Sequence, residues 1–218
     1  MCDRISHHIP EDMLLDYASG SLSEAWSLGV ATHLAFCPSC RERFNEAEAV
    51  GGGLIAEAVP AELPEDAFDL MLMKMDEDPQ QEPVPSQEPI SPSLVPEPLR
   101  SYLGGDLHTL KWRNFGIGVS QIRIPTKDGL SARLLKVSAG QPVPEHGHRG
   151  RELTLVLTGS FSTHQGTFER GDIEIADSDV DHQPIAGLEE DCICLAVTDA
   201  PLRFQGWAAR LIQPFLGI

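Results

Sequence analysis

The chain has 218 residues, 33 of them acidic and 16 basic, giving a formal net charge of −17 at pH 7. With 41% hydrophobic and 22% charged side chains it has the composition of a folded protein of one or two domains, which excludes a chain disordered throughout. An acidic excess of this size repels nucleic-acid phosphates and argues against duplex binding, whereas a basic protein partner suits it.

No run of about 18 apolar residues occurs, and the first thirty residues mix His, Asp, Glu and Pro. Neither a membrane span nor a signal peptide is readable, so the cytoplasm is the expected compartment. The five cysteines (Cys2, Cys37, Cys40, Cys192 and Cys194) are odd in number and cluster in close pairs. In a reducing compartment that pattern points to metal binding or redox chemistry, not to a disulfide scaffold.

In chain order, the first elements are helical. Residues 11–18 form an amphipathic helix stopped by Gly20, and Ser21 to Glu24 reads as a capping box opening a second helix through Phe36. Pro38 sits where a first helical turn tolerates it, so a third helix runs from about Ser39 toward Val59. Its interior holds Gly51, Gly52 and Gly53, which predicts either a bend or close backbone packing there. A fourth helix spans Glu62 to Glu77. Its Leu63, Phe68, Leu70, Met71, Leu72, Met73 and Met75 cover more than one face, more than a small terminal helix can bury, so a partner is expected to cover it.

Between Pro79 and Pro98 seven of twenty residues are proline and no hydrophobic period is traceable, the composition of an extended linker. It divides the chain into residues 1–78, a Pro-rich linker 79–98 and residues 99–218. The first part carries 16 acidic and 4 basic side chains, the remainder 17 and 12, so the acidic field lies mainly in the amino-terminal domain. Beyond the linker the pattern changes to strands: Ile117–Ile124, Leu130–Val137, Leu153–Leu157, Gly171–Ala176 and Ile193–Val197. Such spacing without intervening helices predicts an antiparallel sandwich or barrel. The fold class is therefore multidomain, α then β.

Two residue constellations carry metal chemistry. His33, Cys37 and Cys40 form H-x(3)-C-x(2)-C across the junction of the second and third helices. The thiolate pair can share one ion with an imidazole one helical turn earlier. A structural zinc site needs a fourth ligand, and His7 and His8 are both available; spacing alone does not choose between them. This arrangement, followed by an amphipathic fourth helix, resembles the zinc-binding anti-sigma domain family over about residues 1–77. The resemblance implies zinc ligands His8, His33, Cys37 and Cys40. It also implies a domain that binds an extracytoplasmic-function (group IV) sigma factor and blocks its access to RNA polymerase.

The second constellation is Gly140, five residues, His146, Gly147, His148, three residues, Glu152, six residues, Gly159. On a strand His146 and His148 point to one face, and Glu152 returns to it after the turn at Gly150; His182 offers a third imidazole. The pattern is similar to the first cupin motif at every fixed position, and the segment ending at His182 to the second. Asp177 and Asp179 depart from the usual Pro and Gly, and Ala186 from a usual Asn. The resemblance implies a small β-barrel with ligands His146, His148, Glu152 and His182, holding zinc or another divalent metal. Over nearly the whole chain, the combination resembles the ChrR-type anti-sigma factors. It implies a non-enzymatic regulator whose cupin responds to an oxidative signal, singlet oxygen being among those associated with the family. The competing reading is a dioxygenase-like cupin metalloenzyme with a zinc docking domain.

Cys192 and Cys194 straddle Ile193 on a strand, so both thiols face one way. They read chiefly as small buried hydrophobes, with an oxidant-sensitive pair as the alternative.

Overall fold

The computed structural model describes residues 5–76 and 94–204. Its five helices are α1 (Glu11–Ala18), α2 (Glu24–Phe36), α3 (Pro38–Glu57), α4 (Ala67–Asp76) and α5 (Glu97–Leu103). Cys2 and the linker through residue 93 lie outside the described residues; residues 97 and 98 open α5. Twelve strands follow: β1 (Arg113–Gly116), β2 (Val119–Ile124), β3 (Ser131–Val137), β4 (His146–Gly147), β5 (Glu152–Thr158) and β6 (Ser160–Thr163), then β7 (Gly166–Glu169), β8 (Ile173–Ala176), β9 (Asp181–His182), β10 (Ile185–Ala186), β11 (Cys192–Thr198) and β12 (Arg203–Phe204). All pair antiparallel, in one six-stranded sheet ordered β1-β2-β3-β11-β5-β8 and two three-stranded sheets, β10-β6-β7 and β12-β4-β9. No helix among the described residues is long and apolar enough to cross a membrane.

Period-two alternation gives the large sheet two buried faces. Along β5, Leu153, Leu155 and Leu157 join Leu134, Leu195 and Val197 in a core shared with Leu28, Val30, Trp26 and Met13 of the helices. The opposite face contributes Val156, Cys192 and Cys194 to a second core with Val119, Val137, Phe161 and Phe168 inside the barrel. Helix α2 explains the first of these. Ala25, Trp26, Leu28, Gly29, Val30, Thr32, His33 and Leu34 are all buried, and a helix apolar on every side needs neighbours on every side. Helices α1 and α3 cover one flank and the sheet the other. At the contact, a Cβ on Gly29 would stand 3.1 Å from a Leu153 methyl, so any larger residue would oblige that side chain to give way by a few tenths of an ångström. Burying such leucines contributes about 1.5–3 kcal/mol each. The helices and the barrel are thus fused by a common core.

Charged groups reinforce the seam. The Arg151 and Arg170 guanidinium groups lie 4.9 and 4.7 Å from the ring centroids of Trp26 and Phe36. The capping box expected at Ser21–Glu24 does not form. Ser21 Oγ donates to Asp16, and the α2 N-cap Ser23 makes no side-chain cap bond. Instead the β2–β3 turn caps α2: Ala25 N donates to Asp128 Oδ2 at 2.9 Å, while Glu24 accepts from Lys127 N and from the Tyr102 hydroxyl. Burial would raise the Asp128 carboxyl, but the donors around it, Ala25 N first, hold it below the usual range. Asp128→Ala is therefore expected to lower stability by about 1 kcal/mol, as for a lost N-cap, read as a fall in the urea midpoint.

The α3 glycines neither interrupt the helix nor meet a neighbour: Gly51, Gly52 and Gly53 are helical, and nothing lies within 4 Å of a Cβ built on them. Of the two alternatives, a bend or close packing, the second is not found among the described residues. Helix α4 starts at Ala67, five residues later than the pattern suggested.

Candidate metal centres

The first centre forms where α2 hands over to α3. Cys37 ends α2 and is the N-cap of α3, its Sγ accepting from Cys40 N at 3.4 Å, and Pro38 occupies the next position. One turn back, His33 turns Nε2 to within 3.3 Å of Cys40 Sγ. The segment before α1 brings His8 Nδ1 to 3.3 Å from Cys37 Sγ and 3.5 Å from Cys40 Sγ. Ligand atoms from His8, His33, Cys37 and Cys40 all lie within 4.8 Å of one another. Tetrahedral zinc with Zn–S near 2.3 Å and Zn–N near 2.0 Å separates sulfur from nitrogen by about 3.5 Å, so the donor set has the spacing of such an ion.

Its electrostatics agree. Burial pushes the His33 imidazole down to about 4, leaving it neutral, and His33 Nδ1 lies 2.9 Å from the Gly171 carbonyl, which leaves Nε2 bare toward the centre. Burial pushes the Cys37 thiol up, so a thiolate there calls for a cation. Arg43 Nη2 donates to Cys40 Sγ at 2.9 Å. The choice between the two amino-terminal histidines is made by packing. His8 joins the sulfurs, whereas the His7 ring packs tilted at 39° against Phe168, centroids 4.3 Å apart, with its Nδ1 3.4 Å from Asp172 Oδ2.

The second centre lies inside the barrel. His146 and His182 are directly opposed across the β4–β9 pair, His148 follows β4, and Glu152 opens β5. The three Nε2 atoms converge: His182 Nε2 is 3.1 Å from His146 Nε2 and 3.2 Å from His148 Nε2. Glu152 Oε2 is 3.9 Å from His146 Nε2 and 3.6 Å from His148 Nδ1. Two neutral imidazole lone pairs at these separations would repel, whereas nitrogens about 2.0–2.1 Å from a common ion fall about 3.3 Å apart. Of the Nδ1 atoms, that of His146 is within hydrogen-bond distance of a carbonyl, whereas those of His148 and His182 make no hydrogen bond among the described residues. His146 Nδ1 is 2.9 Å from the Pro144 carbonyl, and His182 Nδ1 is 3.5 Å from Glu174 Oε1. Burial alone would raise Glu152, but the histidines facing it, His146 first, hold its carboxyl below the usual range. Gly159, the last fixed position of the motif, has φ +67°, and a Cβ there would lie 2.7 Å from the Asp191 carbonyl oxygen.

A cavity of about 390 Å³ reaches this centre, with His146, Glu152, His182 and Glu174 at its polar end. Val119, Leu135, Val137 and Phe161 supply apolar wall. Cys192 and Cys194 line it too, both free, buried thiols with sulfurs 3.5 Å apart, on one face as their spacing predicts. Burial and the Cys192 hydrogen bond raise the Cys194 thiol well above its ordinary value, the Cys192 contact being the larger cause. Sequence spacing found seven of the eight candidate ligands and the family resemblance added His8, but the groups behind them, Arg43, Pro144 and Glu174, occupy no fixed motif position.

Helix α4 and the end of α3 form no part of either core. Val50, Leu54, Ile55, Leu63, Phe68, Met73 and Met75 are each 66% exposed or more.

These features have counterparts in known proteins. Residues 102–201 match the ChrR cupin-like domain family. The anti-sigma-E factor ChrR of Cereibacter sphaeroides is 46% identical over 214 residues, 98% of this chain and 99% of its own. The crystal structure of Rhodobacter sphaeroides SigE in complex with the anti-sigma ChrR superposes with a TM-score of 0.80 and 44% identity, covering 90% of this chain and 100% of that chain. With two four-donor centres, a helical unit fused to a cupin-like barrel and likeness over its whole length, the chain belongs to the ChrR family of anti-sigma factors.

Proposed function

We propose that the protein is a cytoplasmic anti-sigma factor, a regulator and not an enzyme. It captures an extracytoplasmic-function sigma factor and prevents that factor from binding RNA polymerase. The functional division is residues 1–78 for capture, the linker 79–98, and the cupin domain 99–218 for sensing. The observation that carries this reading is the exposed apolar surface of α4 and the end of α3, attached to helices held by the His8, His33, Cys37 and Cys40 centre. A wide apolar surface left open on an acidic unit suits a partner with an apolar groove and basic surroundings, and the charge steers the encounter.

In the amino-terminal centre the ion is zinc, whose closed S2N2 coordination suits a structural role. His146, His148, Glu152 and His182 hold zinc or another divalent ion, since three imidazoles and a carboxylate accept several. An ion there supplies a Lewis-acidic position at which a small molecule can bind. The residues around it do the rest: the Pro144 carbonyl fixes the His146 ring, Glu174 places a carboxylate behind His182, and the apolar wall admits small, weakly polar molecules while limiting water. Release follows an oxidative signal received in the barrel, singlet oxygen being the leading candidate. The same cavity gives the competing reading, a dioxygenase-like cupin metalloenzyme, its one specific support.

The deciding experiment mixes the metal-loaded full chain with its co-encoded sigma factor and core polymerase. Stoichiometric loss of sigma-dependent transcription is expected. Failure to capture sigma, together with oxygen uptake in the presence of a small substrate, would favour the enzyme. His146→Ala is expected to leave inhibition within about twofold, because the capture surface is remote, and to blunt the response to oxidant; in vivo reporter output that is constitutively high would contradict separate roles.

A further inference from the structure

The two metal centres sit on one short stretch of chain. Gly171 precedes β8 and its carbonyl faces His33 Nδ1 at 2.9 Å. Next to it, Asp172 Oδ1 accepts from Ser6 N at 2.7 Å and His7 N at 2.9 Å, while Oδ2 accepts from Glu169 N at 2.9 Å. Ile173 N then donates to the His7 carbonyl at 3.4 Å. Residues 171–173 thus hold both the His33 ring and the backbone that delivers His8. One residue further on, Glu174 turns into the barrel, where its Oε1 stands 3.5 Å from His182 Nδ1 and accepts from Thr163 Oγ1 at 3.1 Å.

We propose that Asp172 and Glu174 are positioning residues that make residues 171–174 a rigid tie between the two centres, so that displacement of His182 in the barrel loosens the grip on His8 and His33. The inference rests on the reading of the cupin as the input and of the amino-terminal centre as the support of the capture surface.

Three physical features make the tie stiff. Four residues, two at the entry to β8 and two within it, span only about 10 Å of backbone. Asp172 is almost fully buried, and burial would raise its carboxyl, but the amides of Glu169, His7 and Ser6 outweigh this and hold it ionised. A carboxylate held by three amides is costly to shift, since each bond to a charged group contributes more than a neutral one. Third, Gly171 has φ +91°, and a Cβ on it would meet the Ile5 side chain at 2.8 Å and Phe36 Cβ at 3.3 Å, so the amino-terminal segment and α2 are packed directly on the strand's entry. Motion of β8 therefore has little slack to absorb before it reaches the first centre. At the other end, Glu174 is buried with His182, its carboxylate 3.5 Å behind the imidazole in an ion-pair contact. If the His182 ring swings away, Glu174 keeps the Thr163 hydroxyl but loses its charged neighbour, and its strand is free to shift.

The test uses the zinc-reconstituted full chain and the resonance of the His33 Nδ1 proton, with amide exchange at Ser6 and His7 as a second readout. Glu174→Gln preserves size but removes the charge behind His182. It is expected to move the His182 ring signals and also to speed exchange of the His33 ring proton and the Ser6 and His7 amides, on the order of fivefold, the middle of the range found for coupled sites. Thr163→Val removes the hydroxyl bond to Glu174, along with one accepted from Gln165 N in the exposed β6–β7 turn, and should give a smaller effect of the same sign, which keeps the test available if Glu174→Gln folds poorly. Asp191→Asn, at the barrel surface, should change neither readout. Altered His182 signals with unchanged His33, Ser6 and His7 in both Glu174→Gln and Thr163→Val would overturn the tie. Sigma capture by the wild-type chain is measured in parallel: its failure sinks the functional reading itself, whereas intact capture with unresponsive His33 signals sinks only the coupling.

Discussion

Cys37→Ser is expected to abolish sigma capture and remove one equivalent of zinc from the full chain, with loss of helical circular dichroism from the amino-terminal region. Cys37 has two roles, and the substitution separates them. As N-cap of α3 it accepts from Cys40 N, a bond that serine, a favoured N-cap, makes at least as well. As thiolate ligand it has no substitute, because a neutral hydroxyl is a poor partner for a borderline-soft ion. The defect therefore reports the metal alone. Binding of a structural zinc is worth about 10–16 kcal/mol in small peptides, comparable to the entire stability of an ordinary domain. The remaining amino-terminal core cannot replace it: α3 contributes only Cys40 to the fully buried residues. Because α2 shares its core with β5 and β11, loss of the centre should also lower the unfolding midpoint of the barrel. Transcription inhibition and zinc content by elemental analysis check the result. Full inhibition by zinc-free protein would refute it, and with it the claim that the ion supports the capture surface.

That shared core was the part of the fold least legible in the sequence. The proline-rich stretch after residue 78 suggested two independent units, yet α2 was already anomalous: Ala25, Trp26, Leu28, Val30 and Leu34 leave it no polar face, a sign of burial on every side. The missing cover is supplied by a sheet more than a hundred residues away, and nothing local encodes that. The capping box failed for the same reason. Glu24 has the right spacing from Ser21, but Lys127 N and the Tyr102 hydroxyl take its carboxylate and Asp128 takes the helix end. Long alternating strands such as β3, β5 and β11 were readable because each spans a full hydrophobic period on both faces. The two-residue strands β4, β9, β10 and β12 contain no period at all. Seven ligands were legible because coordination imposes fixed spacings, and His8 through the family resemblance; the groups behind them, Glu174 and Arg43 above all, answer only to tertiary geometry.

Helix α4 offers the other large effect, and it is opposite in kind. Phe68→Glu combined with Leu72→Glu is expected to leave the fold intact and to weaken sigma binding on the order of 100- to 1,000-fold. Both side chains lie one helical turn apart on α4 and both are exposed, at 66% and 43%. Neither belongs to either buried core, so no cavity opens on substitution and stability should stay within about 0.5 kcal/mol. Binding is different, because two carboxylates would then have to enter an apolar contact without partners, on a chain whose net charge is already −17. Raising the salt concentration should not restore affinity, since the penalty is desolvation and not long-range repulsion. Calorimetric titration against the sigma factor, beside the urea midpoint of the free variant, separates the two quantities. Unchanged affinity would move the capture surface away from α4, while a collapsed midpoint would mean that this helix packs against the body in solution; only the combination of an intact fold and lost binding fits a helix whose apolar surface is completed by another protein.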